Sequence, residues 1–130
     1  MVMTESEALI RSILGAVRSD IRPLACAVDV AREILFVKRI PMDEILVTKD
    51  IYPAAAKRLS KKPGAVTRSI ERLANLCWDE LADRKLMSRY IGERLSDIHA
   101  PRDVIIYLAF YLQFNRPFFE VVAEQPALLF

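Results

Sequence analysis

Seven of the chain's 19 lysines and arginines fall between residues 49 and 72: Lys49, Lys57, Arg58, Lys61, Lys62, Arg68 and Arg72. Only Asp50 and Glu71 oppose them there, a net +5, whereas residues 1–48 sum to −1 and residues 73–130 to −2. The overall net charge of +2 hides this focus. Concentrated cationic side chains neutralise phosphates and release counterions, the dominant attraction between proteins and nucleic acid. Thr67 and Ser69 place hydroxyls among these charges. A solvated basic surface has the same composition, so charge alone does not choose between the two.

Other chemistry finds little support. His99 is the single histidine and sits beside Ala100-Pro101 in an expected loop. There is no Ser-His-Asp arrangement, glycine-rich phosphate loop or metal-ligand spacing. The carboxylate pairs Asp43-Glu44 and Asp79-Glu80 are sequence neighbours and diverge on a helix. Cys26 and Cys77 lie in apolar stretches without CxxC spacing and are expected as small buried hydrophobes. The expectation is a non-enzyme with no cofactor, no metal and no small-molecule substrate.

What must position the basic residues is helical. With 130 residues, 53% of them hydrophobic, and only three glycines, the chain fits one all-α domain over 1–130. About six helices in an orthogonal bundle are expected. Thr4 and Glu7 form a capping box before Leu9, Ile10, Ile13, Leu14 and Val17 at helical spacing. Asp20–Pro23 ends that helix and opens another, Leu24 to about Arg39. Asp43 to Asp50 reads as a short helix with Ile45, Leu46 and Ile51 inward. Lys85–Ile91 is short. Arg102 to Phe114 is apolar nearly all round and is the expected core helix, followed by Phe118 to about Glu124.

Between these lies Tyr52–Trp78. Pro53 suits a first helical turn, and Pro53–Leu59 is alanine-rich. Ser60–Gly64 supplies the turn, and a helix over about 64–78 follows with Val66, Ile70, Leu73, Leu76 and Cys77 or Trp78 on one face. A helix-turn-helix needs a small residue inside its first helix and an apolar residue about ten positions later, and Ala56 and Val66 satisfy both. Ala65, Thr67, Arg68, Ser69 and Arg72 then face outward. Arg68 is the candidate for reading guanine, with Thr67 and Arg72 beside it. Lys57, Arg58, Lys61, Lys62 and Ser69 suit phosphate contacts that position without specifying.

The run Tyr52-Pro53-Ala54-Ala55-Ala56-Lys57-Arg58-Leu59, then Gly64-Ala65-Val66-Thr67-Arg68-Ser69-Ile70-Glu71-Arg72 and the closing Trp78, resembles the C-terminal effector domain of the sporulation-initiation response regulator of spore-forming bacteria. The resemblance implies an all-helical DNA-binding domain of a transcription regulator. It places the family's base-contacting positions on Gly64, Thr67 and Arg68, of which Arg68 alone matches. The family has Ser at Gly64, Arg at Ala65 and Glu at Thr67; Glu71 replaces a basic residue and Arg72 a histidine. Its operator preference therefore does not transfer. The family's receiver domain is expected to be absent, because the sequence begins directly at the effector-like part.

The expected partner is double-stranded DNA, with a homodimer formed through the apolar C-terminal segment. The alternative is a protein-interaction or dimerisation module that keeps the fold and has weak or no DNA binding, acting through Phe118-Phe119-Glu120-Val121-Val122 and Ala127–Phe130. The acidic start Met1–Glu7 lacks the character of a secretory signal, and the longest apolar stretch, Val104–Leu112, is too short to span a bilayer. A cytoplasmic location and no membrane association are expected.

Overall fold

A computed structural model describes residues 3–92 and 101–129. Among them are seven α-helices and no strand: α1 Glu5–Leu14, α2 Arg22–Arg32, α3 Tyr52–Leu59, α4 Pro63–Asp83, α5 Met87–Tyr90, α6 Pro101–Phe114 and α7 Phe118–Glu124. The expected all-α bundle is thus present, with one helix more than the sequence suggested. The expected loop at His99 and the last residue, Phe130, lie outside the described residues.

The core is built around α2 and α6. Helix α2 packs against α1, α3, α4 and α6. It can approach so many neighbours because Ala25, Ala27 and Ala31 alternate with Leu24, Val28 and Val30 on its buried surface. Helix α6 buries Val104, Ile105, Ile106, Leu108, Ala109 and Phe110, matching its all-round apolar pattern. Phe36 and Phe118 meet the Phe110 ring edge-on at 5.2 and 4.9 Å between centroids.

Several boundaries differ from the sequence expectation. The Glu7 amide donates to Thr4 Oγ1 at 3.2 Å, while the Thr4 hydroxyl itself donates to Glu7 Oε1 at 3.0 Å. Helix α1 stops at Leu14, because Gly15 takes φ +72° and turns the chain; Val17 therefore lies past the helix. Helix α2 runs on through a π-helical turn at Glu33–Val37. The helix expected over 43–50 is two short turns, Met42–Glu44 and Val47–Ile51, separated by the extended residues Ile45 and Leu46. Ile45 and Ile51 are buried, but Leu46 is 57% exposed. The Asp50 carboxylate captures the Leu46 amide at 2.9 Å, a local bond that competes with helix. Beyond α7, Pro126–Leu128 folds back, and the Asp43 amide donates to the Leu129 carbonyl at 3.0 Å.

The corner between α3 and α4 closes by a Schellman arrangement. Ser60 sits in the left-handed region at φ +54°. Its amide donates to the Lys57 carbonyl at 3.2 Å, and the Lys61 amide to the Ala56 carbonyl at 3.1 Å. A non-glycine residue at such a position stores strain, so Ser60→Gly is expected to stabilise the chain by roughly 0.5–1 kcal/mol, the strain relieved less the added unfolded-state entropy. A urea midpoint that fails to rise would contradict this.

Candidate nucleic-acid interface

Ala56 and Val66 meet the burial that their spacing led one to expect. Ala56 and Val66 are each 2% exposed, and α3 and α4 pack on each other while both pack on α2. The turn is shorter than expected, only Ser60, Lys61 and Lys62, because Pro63 and Gly64 already belong to α4. Proline is favourable there, since a first-turn residue has no use for its missing N–H. Among the described residues no side chain caps this end of α4. The amides of Gly64 and Ala65 are therefore available to an anion at an exposed helix start.

Helical rotation of about 100° per residue fixes which side chains of α4 face out. Val66, Ile70, Leu73, Ala74, Cys77, Trp78 and Leu81 make the buried arc. Leu76, expected on that arc, is turned roughly 130° from its centre by the same rotation and is 37% exposed. Arg68 points away from that arc and is exposed. Its guanidinium leans back toward the helix start, Nη1 lying 3.7 Å from where a side chain on Gly64 would begin. The arginine and the uncapped amides thus share one end of α4. Thr67 flanks the buried arc and is half-buried, which limits its reach.

The remaining cations divide into two groups. Arg58 is ion-paired with Glu33 at the end of α2. Lys61 Nζ lies 3.7 Å from the Asp20 carboxylate. Arg72 Nη1 donates to Ser19 Oγ at 3.2 Å. Ser69 turns to the same side, lining a cavity of about 200 Å³ with Asp20, Pro23, Lys61, Ala65, Val66 and Arg72. Lys57, Lys62 and Arg68 are exposed, and no ion-pair partner reaches them among the described residues. Gly64, Arg68 and Lys62 therefore gather at the start of α4, while Lys61, Ser69 and Arg72 face the segment before α2, and Arg58 faces its end.

Sequence reasoning overlooked Ser19 and Asp20. Asp20 accepts from the Arg22 guanidinium at 2.8–3.1 Å and from the Arg22 amide at 3.0 Å. The Arg22 bonds, with Lys61 nearby, hold its carboxyl down at about 2. The alternation of charge in Arg18-Ser19-Asp20-Ile21-Arg22 was the available signal.

The cysteines are structural. Cys77 is buried on α4, and burial pushes its thiol up to about 12. Cys26 is half-buried, with its thiol also raised by burial. Both shifts disfavour the reactive thiolate. At the C-terminus, Phe118 and Val121 are 3% and 0% exposed within their own chain. Phe119 and Val122 are half-buried against the same core. Among the described residues no helix is long and apolar enough to cross a membrane. Comparisons with protein-family models, with curated proteins and with solved structures find no match to this chain.

Proposed function

We propose that this chain is a sequence-specific DNA-binding transcription regulator that acts in the cytoplasm through a helix-turn-helix at about 52–78. The observation that carries the proposal is the start of α4, where the unpaired Arg68 guanidinium leans over Gly64 beside two uncapped amides. In helix-turn-helix proteins the first residues of the second helix meet base edges in the major groove, and the preceding helix crosses the backbone. On this reading Arg68 bonds guanine through O6 and N7. Lys57 on α3 and Lys62 in the turn, both exposed, would supply phosphate contacts. The resemblance of Tyr52–Trp78 to the sporulation regulator's effector domain supports the same assignment, with a different operator expected because Gly64, Ala65 and Thr67 depart from that pattern.

Selection from randomised duplexes tests this. The expected result is a short enriched motif containing a guanine whose preference Arg68→Ala relaxes by roughly 1–3 kcal/mol. Absence of any enrichment would oppose base reading and favour a module that keeps the fold and binds protein instead.

A further inference from the structure

We propose that Asp20 is an internal competitor for the DNA backbone, holding Lys61 away from phosphate and thereby setting the affinity of the interface. The inference rests on the DNA-binding reading above. The segment before α2 brings a carboxylate into a basic sector. Asp20 Oδ2 lies 2.8 Å from Arg22 Nη2 and 3.7 Å from Lys61 Nζ. Arg72 stands on the same cavity and is engaged by the neighbouring Ser19 hydroxyl. One carboxylate thus faces two cations directly and a third across a cavity of about 200 Å³.

Asp20 is held in place. Its Oδ1 accepts from the Arg22 amide at 3.0 Å and from Arg22 Nε at 2.9 Å, at the very start of α2. Pro23 follows Arg22 and lies buried. The carboxylate is anchored by its Arg22 bonds, whereas Lys61 lies on the exposed turn, held to Asp20 by one longer contact of 3.7 Å. A phosphate approaching the turn must draw Lys61 from Asp20 and tolerate the carboxylate behind it. Lys62, one residue on, has no ion-pair partner among the described residues.

The test is duplex binding by fluorescence anisotropy, using mixed-sequence DNA at 50–300 mM salt. Asp20→Asn keeps an oxygen for the Arg22 amide and removes the charge. It is expected to tighten binding about three- to ten-fold at 0.1 M salt and to steepen the log K against log salt slope by up to about one, the contribution of one freed phosphate contact. In a Lys61→Ala background the same change is expected to gain less than half as much, because only the repulsion between phosphate and carboxylate is left to relieve. Asp83→Asn controls for general charge. It lies at the far end of the 21-residue α4, about 30 Å along the helix and beyond the Debye length, and should change affinity less than about two-fold. Independently, Lys61→Ala should lose less than half the fold-affinity lost by Lys62→Ala. Equal losses in those two variants, or an unchanged or weakened Asp20→Asn, would overturn the inference while DNA binding itself stood. Failure of the unaltered chain to bind duplex at the lowest salt would remove the functional reading and this inference together.

Discussion

Replacing Lys57 and Lys62 together by alanine is expected to weaken binding to mixed-sequence duplex about fifty-fold at 0.1 M salt. Each phosphate contact adds about 0.9 to the salt slope, which amounts to nearly one decade of affinity per contact between 1 M and 0.1 M salt. Two contacts therefore give almost two decades, and the slope should become shallower by about 1.8. These lysines are chosen because both are exposed and, among the described residues, neither is occupied by a carboxylate. Arg58, adjacent to Lys57, is paired with Glu33 and should matter less. The loss should be the same for every DNA sequence, unlike that of Arg68→Ala. A double variant that folds normally and keeps the original slope would show that the duplex lies elsewhere.

Phe110→Ala is expected to destabilise the chain by about 3–5 kcal/mol, the range for removing a fully enclosed aromatic ring. Phe110 is 0% exposed and touches Phe36 from the end of α2 and Phe118 from α7. Its loss opens a cavity bordered by three elements. A domain of this size has about 5–15 kcal/mol in total, so the change removes a large fraction of it. Urea unfolding should show a lowered midpoint with an unchanged slope. DNA binding should follow the folded population, since Phe110 lies in the core and touches no cation of the interface. A loss under about 1.5 kcal/mol would mean that the ring cluster is not closed as described.

Much of the scaffold was legible because its signals are local and strong. Pro53 and Pro101 mark helix starts, and the all-round apolar pattern of Arg102 to Phe114 has no other use than a core helix. Phe118–Glu124 follows a proline and was readable for the same reason. The stretch 43–50 was not legible, because one carboxylate bonding one amide, Asp50 to Leu46, decides between helix and extended chain. The close of α1 depended on the positive φ of Gly15, while apolar spacing continued past it to Val17. Leu76 was misplaced by counting apolar residues instead of following the rotation of α4.

The candidate site was legible in its basic charge and in the Ala56–Val66 spacing. Its internal partition was not. Arg58, Lys61 and Arg72 meet Glu33, Asp20 and Ser19, which lie 25 to 53 positions away in sequence. Long-range pairing of that kind leaves no periodic trace in a single sequence.

In the proposed function, the exposed end of α4 and the turn before it form a duplex-binding surface. Titration of the purified chain against a mixed-sequence duplex over a range of salt concentrations tests it most directly. Saturable binding is expected, with log K falling linearly with log salt at a slope of about −2 to −4, as two to four phosphate contacts by Lys57, Lys62 and their neighbours would give. Absence of binding at 50 mM salt, or affinity indifferent to salt, would contradict it.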